Sequence, residues 1–236
     1  MARNESTHIG RITLGPRGRP FIYDAMIDEG AADIWLLATR LRRLTSGPGE
    51  DHSPAPSPDW RRVAFVRGAY QDRREEGDLL VVPAGGGQAK LLFGERKAAH
   101  PSWAPDSRRI AYGRHGGIWI ASLATRRAQR LASGHEPAWS RDGRLIVFVH
   151  RNSIRTIRPD GTGEGRSQPA RGPSKISRGR RTGRRIAYAT GWDNDIPYPW
   201  HAPEAHFLEI WTVDVASGAR QPLVQSAGFN YAPSWR

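Results

Sequence analysis

The chain contains no cysteine, which excludes disulfides, thiolate metal ligands and a cysteine nucleophile. Such a chain suits a reducing compartment, and equally an exported protein that needs no cross-links. Lysine is scarce: only Lys90, Lys97 and Lys175 stand among 36 basic residues, and arginine supplies the rest. Long apolar runs are missing as well. No stretch approaches the roughly 18 apolar residues of a membrane helix. Residues 1–20 scatter Ile9, Ile12 and Leu14 instead of joining them into the apolar core of a secretory leader. As written, the chain is expected in the cytoplasm, with no membrane span. The Gly-x-Ser-x-Gly elbow, His-Glu-x-x-His, a Gly-Lys-Ser/Thr phosphate loop and a dinucleotide fingerprint are all absent, so no catalytic residue is assigned.

What is present is apolar content and turn-formers. The 236 residues are 38% hydrophobic, with 26 Gly, 18 Pro and nine Trp, enough for a sizeable core cut into many short segments. The net charge is +13. A basic balance attracts polyanions without defining a site, so binding of nucleic acid stays open as an alternative function.

A repeat organises the chain, and periods of roughly 20–50 residues mean solenoids or propellers. Residues 101–112 read Pro-Ser-Trp-Ala-Pro-Asp-Ser-Arg-Arg-Ile-Ala-Tyr, and residues 137–148 read Pro-Ala-Trp-Ser-Arg-Asp-Gly-Arg-Leu-Ile-Val-Phe. Residues 54–65 read Pro-Ala-Pro-Ser-Pro-Asp-Trp-Arg-Arg-Val-Ala-Phe. Weaker copies run over 14–23 and from Pro173-Ser-Lys to Arg184–Tyr188, and Pro233-Ser-Trp-Arg236 begins a sixth. The place of Trp103 is taken in turn by Leu14, Pro56, Trp103, Trp139, Lys175 and Trp235, at intervals of 42, 47, 36, 36 and 60 residues.

Each unit carries strand signals. A short segment ends at Trp103 and meets a Pro-Asp-Ser turn, in which proline presets φ and aspartate bonds nearby backbone. Ile110–Tyr112, a Gly116-Gly117 turn, Ile118–Ile120 and Ala128–Leu131 follow. The third strand recurs as Asp33–Leu37, Asp78–Val82, Ser153–Ile157 and Glu209–Val213. Sustained helical periodicity is missing, so a helical solenoid is excluded. Four short strands per unit describe a propeller blade. The expected fold is all-β: a β-propeller of four-stranded antiparallel blades, with five complete blades plus a sixth first strand. Either Pro233–Trp235 closes a five-bladed ring or the chain is a truncated six-bladed one with an open edge. An N-terminal tail over 1–11 precedes a single domain over 12–236.

The Pro-x-Trp-Ser-Pro-Asp-Gly-Arg-Arg-Ile-Ala-Phe pattern, with its Ile-Trp strand and Arg-x-Leu ending, resembles the TolB-like, WD-repeat-like propeller repeat from about Ile12 to Arg236. The resemblance implies a binding scaffold for protein or peptide partners, and relatives that are often exported or periplasmic. It equally admits an enzyme-associated propeller, as a peptidase accessory module or a degenerate metal-dependent lyase. This copy departs from the pattern where Trp60 replaces the usual turn glycine, where Pro56 and Lys175 replace Trp, and where Gly179–Gly183 stretch the fifth unit.

Candidate functional residues fall on loops. His52, His100 and His135 each precede the proline of a first strand, which places them at a channel rim where imidazoles can hold a divalent metal. The bland reading is three ordinary loop histidines and no cofactor. The insertion Gly191–His206 offers Trp192, Tyr198 and Trp200 for stacking or anchoring a partner. It also offers Asp193, Asp195, His201 and His206 as polar contacts; the alternative is aromatics that merely cap the sheet. Asp59, Asp106 and Asp142 read as turn-capping residues, Gly85–Gly87 and Gly161–Gly163 as hairpin turns, and the Arg61-Arg62, Arg108-Arg109 and Arg184-Arg185 pairs as exposed. Arg166–Arg185 reads as a solvated basic loop.

Overall fold

The computed structural model describes residues 8–15, 20–26, 31–68, 76–92, 97–151, 153–169, 173–177, 185–190, 209–214 and 219–224. Among them the elements are all strands, grouped into five four-stranded antiparallel sheets that follow chain order. The chain divides into two compact units, Met1–His135 and Glu136–Arg236.

The first unit holds three sheets. Blade one is β1 (His8–Leu14), β2 (Phe21–Met26), β3 (Asp33–Leu37) and β4 (Leu41–Arg43). Blade two is β5 (Glu50–Pro56), β6 (Arg62–Gly68), β7 (Asp78–Pro83) and β8 (Lys90–Leu91). Blade three is β9 (Ala98–Trp103), β10 (Arg109–Arg114), β11 (Gly117–Ser122) and β12 (Arg127–Ser133). The second unit holds two more. Blade four is β13 (His135–Trp139), β14 (Ile146–His150), β15 (Ser153–Ile157) and β16 (Gly165–Pro169). Blade five is β17 (Pro173–Ser177), β18 (Arg185–Thr190), β19 (Glu209–Asp214) and β20 (Arg220–Val224). The expected third strands all appear, and β1 already begins at His8, ahead of Ile12.

The second strands show why the sheets must stack. Val63, Ala64, Phe65 and Val66 are all fully buried, as are Ile110, Ala111 and Tyr112. Strands apolar on successive residues need cover on both faces, and one four-stranded sheet has none to give itself. In the first unit the neighbouring blade supplies it. Ala55, Ala64 and Leu79 of blade two form one cluster with Trp103, Ile110 and Tyr112 of blade three. Ile22, Ile34 and Leu36 of blade one form another with Val63, Phe65 and Val82 of blade two. Each Val, Leu, Ile or Phe among them contributes about 1.5–3 kcal/mol by leaving water.

The repeated turn explains the spacing between first and second strands. Ser57 Oγ donates to Asp59 at 2.6 Å, and Asp59 accepts the Arg61 amide at 3.1 Å. Ser140 and Asp142 repeat this at 2.6 Å, with Arg144 donating its amide at 3.1 Å. The next residue is left-handed in all three turns: Trp60 at φ 57°, Ser107 at 55° and Gly143 at 73°. A side chain there costs roughly 1–2 kcal/mol. Trp60 offsets that cost by packing on the Ile22–Phe65 cluster, which glycine cannot do.

A second repeated feature is a bulge near the start of the first strand. Ser53, His100 and Glu136, each directly before the proline, have φ of 54°, 51° and 53°. The ladder shifts register there in blades two and three.

Two expectations are corrected. Lys175 does not hold the Trp103 position: it pairs with Ala189, whereas Trp103 pairs with Ile110, whose counterpart in blade five is Ile186. Pairing with the Ile186–Tyr188 segment sets the register, and a two-residue Pro-Ser match cannot override a ladder. Arg62 is not simply exposed. Its guanidinium lies 5.4 Å from the Trp103 ring centroid and donates to the Ser107 carbonyl at 2.8 Å. The expected strand at Pro233–Trp235 and the Gly179–Gly183 stretch lie outside the described residues.

Trp103 ties blades two and three: it is 2% exposed, and its indole N–H donates to the Ala55 carbonyl at 2.8 Å. Trp139 likewise ends its first strand, 3% exposed. Replacing Trp103 with Phe keeps a ring but removes the hydrogen bond between the blades, and is expected to cost about 0.5–1.5 kcal/mol in urea unfolding.

Candidate functional site

In every sheet the first strand begins, the second ends and the third begins at one end, here the loop end. The aspartate turns occupy the opposite, turn end.

The predicted histidines all lie near the loop end but do not share one position. His52 pairs with Val66, and the residue in the same register of blade three is Ala99, which pairs with Gly113. His100 instead matches Ser53, and both are left-handed. Alternating pleats then point adjacent residues apart. His52 is 2% exposed, with Nδ1 3.4 Å from Ser53 Oγ, whereas His100 is half-buried and His135 exposed. Among the described residues no group of three or more His, Cys, Asp or Glu side chains is placed to hold a metal ion. Trp192, Asp193, Asp195, Tyr198, Trp200, His201 and His206 lie outside the described residues. The residues bracketing them, Thr190 and Glu209, pair with each other, and Thr190 also pairs with Pro173, at the loop end of blade five.

The structure adds a polar network at the loop end of blades one and two. Asp51, with no exposed surface, lies second in β5 and accepts Arg67 Nε at 2.6 Å and Nη2 at 2.7 Å. Asp33, 3% exposed, opens β3 and accepts Arg43 Nη2 and, at 3.4 Å, the Thr45 hydroxyl. Thr45 Oγ1 also accepts the Ile34 amide at 2.9 Å. Arg43 lies 5.9 Å from the Trp35 ring centroid and Arg67 5.7 Å from that of Phe65. The glycines of the β4–β5 connection, Gly47 and Gly49, have φ of 139° and 108° and run along the Arg67 side chain. This left-handed path crosses between blades directly over the ion pair.

The chemistry of the network is positional. Burial pushes the Asp33 carboxyl up, opposed by Arg43, while Asp51 adds repulsion and Thr45 relieves it. Arg67 is held above its already high value, chiefly by its hydrogen bonds with Asp51, so it stays a cation. Two fixed guanidiniums, partly open to solvent, thus frame the loop end of this joint. Sequence reading missed these residues because each acid lies far from its arginine along the chain. The available signal was an aspartate opening a third strand and another three residues ahead of Pro54.

The turn aspartates behave oppositely. Burial pushes Asp59, Asp106 and Asp142 up, but hydrogen bonds outweigh it and hold all three below the ordinary carboxylate range. Asp106 accepts the Arg108 and Arg109 amides at 2.8 and 3.1 Å and Arg109 Nε at 2.8 Å. The capping role expected of them is what the geometry shows.

Comparisons with known proteins bear on the fold. No protein-family model matches the chain. A Tricorn protease homolog from Saccharolobus solfataricus is 34% identical over 74 residues, which span 30% of this chain and only 7% of that protein. Among solved structures, putative TolB from Agrobacterium tumefaciens superposes with a TM-score of 0.74 at 17% identity, covering 97% of this chain and 86% of that one. TolB from Acinetobacter baumannii gives 0.58 at 17% identity, covering 93% and 53%. An oligogalacturonate lyase in complex with manganese and a puromycin-hydrolyzing peptidase of Mycobacterium tuberculosis are also similar in fold. The chain is a β-propeller of antiparallel four-stranded sheets, and at these identities the likeness speaks for fold alone.

Two outcomes are expected from the charged groups. Arg67→Met strands a fully buried carboxylate and should cost about 3–5 kcal/mol in denaturant unfolding. Asp51→Asn should cost less, because Arg67 can swing toward water. The turn aspartates have lowered folded pKa values, so their contribution is present above the ordinary carboxylate pKa and is lost as pH falls through the lowered value. Asp33, raised, works the other way: its contribution is full in acid and is lost as pH rises through the raised value. A urea-midpoint series from pH 7 to 3 should therefore fall less steeply in Asp106→Asn than in the unaltered chain.

Proposed function

We propose that this propeller is a non-catalytic scaffold that captures a protein or peptide segment at its loop end. One observation carries the reading. Thr190 and Glu209, which bracket the Trp- and Asp-bearing insertion, sit at the loop end of their sheet. That is the kind of end which, in the first unit, carries the fixed Arg43 and Arg67. Trp192, Tyr198 and Trp200 provide anchoring surface at low entropic cost, and Asp193, Asp195, His201 and His206 provide polar contacts around it. In this reading Pro233–Trp235 supplies a sixth first strand to five complete blades of a single domain.

A second reading has a specific observation behind it. The 74-residue match to a Tricorn protease homolog and the fold likeness to a peptidase favour an accessory propeller that admits substrate to a separate peptidase. The partner captured separates the two.

The test is quantitative affinity capture with mass spectrometry, comparing the unaltered chain with Trp192→Ala/Tyr198→Ala/Trp200→Ala. Loss of anchor residues at an interface costs about 2 kcal/mol or more, so the captured partner should drop at least tenfold. Equal capture by both proteins would sink the loop as the binding element, and capture of a peptidase would favour the second reading.

A further inference from the structure

We infer that the turn end of blades two and three is a separate surface that binds the phosphodiester backbone of nucleic acid. The inference does not rest on the loop-end reading, because it uses the opposite end of the same sheets.

The charge is concentrated there. Between Lys97 and Gly134 the chain has seven basic residues and one acid, Asp106, nearly half of the excess of the whole chain. The ladder brings most of them to one place. Arg109 pairs with Ser122 and Ser122 with Arg127, which sets the two arginines two strand spacings apart, about 10 Å. The Leu123 amide donates to the Arg108 carbonyl at 2.9 Å, so the turn carrying Arg126 abuts the turn carrying Arg108. Blade two adds Arg61 and Arg62: the Asp59 amide donates to Ser107 Oγ at 3.2 Å, and Arg62 Nη2 donates to the Ser107 carbonyl at 2.8 Å. Six guanidiniums therefore share this end with two carboxylates. Arg61, Arg108, Arg126 and Arg127 are exposed.

Both carboxylates are committed to their own turns. Asp59 accepts the Ser57 hydroxyl and the Arg61 amide, and Asp106 accepts two amides and Arg109 Nε. Capping thus holds each carboxylate against its own turn, while Arg61 and Arg108 stay exposed. The repeat builds positive charge on this end as a by-product of closing its turns. Guanidinium forks match phosphate oxygens in pairs, which lysine does not do. Among the described residues the exposed large apolar side chains are Ile12, Leu37, Leu41 and Leu91, and none lies in these turns. The surface thus has charge but no wedge for lipid, and it faces phosphates without the apolar contacts that read thymine methyls. Binding is expected to be indifferent to sequence and steeply dependent on salt.

The experiment is fluorescence anisotropy of a labelled 20-base-pair duplex over a salt series, with the full chain. Arg108→Glu/Arg127→Glu should weaken binding about tenfold or more at low salt and flatten the log K against log salt slope by about 1.8, the loss of two phosphate contacts. The charge-matched control Lys90→Glu/Arg130→Glu, on the exposed fourth strands and within the ladders rather than in these turns, should bind like the unaltered chain. Circular dichroism and melting of both variants establish that they fold. An equal loss in the control would reduce the effect to net charge and overturn the site. So would a duplex affinity unmoved in Arg108→Glu/Arg127→Glu, or binding to phosphatidylserine vesicles without binding to the duplex.

Discussion

Everything in the first unit depends on one constraint: a four-stranded sheet that is apolar on both faces cannot be stable in water alone. Phe65 and Tyr112 have no exposed surface because the neighbouring blade covers them. The tie between Trp103 and the Ala55 carbonyl then fixes how blades two and three meet, giving the buried indole N–H a backbone partner on the neighbouring blade. Hydrophobic burial supplies the magnitude, and the hydrogen bond supplies the geometry.

That constraint separates the two ends of each blade. The turn end is closed by a compact, self-satisfied turn in which serine and aspartate take up the backbone amides. In blades two, three and four it varies little, so whatever decorates it is repeated: the arginines accumulate. The loop end is free to vary, and its blades carry unlike solutions. Blades one and two place two acid–arginine pairs there, blade three a tight Arg114–Gly117 turn, and blade five the bracketing residues of a long insertion. A repeat protein can in this way offer a uniform charged surface at one end and a particular one at the other.

The strained residues fit the same division. Trp60 and Ser107 are left-handed in turns whose hydrogen bonds over-determine them, and each is compensated by packing or by a contact to the next blade. Ser53 and His100 are left-handed where the first strand bulges, so adjacent residues there are turned to different surroundings. This is why His52, two residues before its proline, and His100, directly before its own, differ in burial.

Much of the architecture was legible in residues alone. The Pro-x-Trp and Asp-x-Arg-Arg-Ile-Ala spacing marks strand, turn and strand because φ at proline, capping by aspartate and apolar runs are local properties of the chain. The left-handed place of Trp60 could be read for the same reason. The register of the fifth blade could not, since only the ladder shows that Lys175 meets Ala189 and not Ile186. Nor could the pairing of Asp51 with Arg67 or of Asp33 with Arg43, or the gathering of arginines from two blades around Ser107. Sequence determines which segments become strands and turns, where the forces act within a few residues. Tertiary structure decides which charges face each other, because electrostatic partners are chosen by distance in space, and only the stacking of one blade on the next sets that distance.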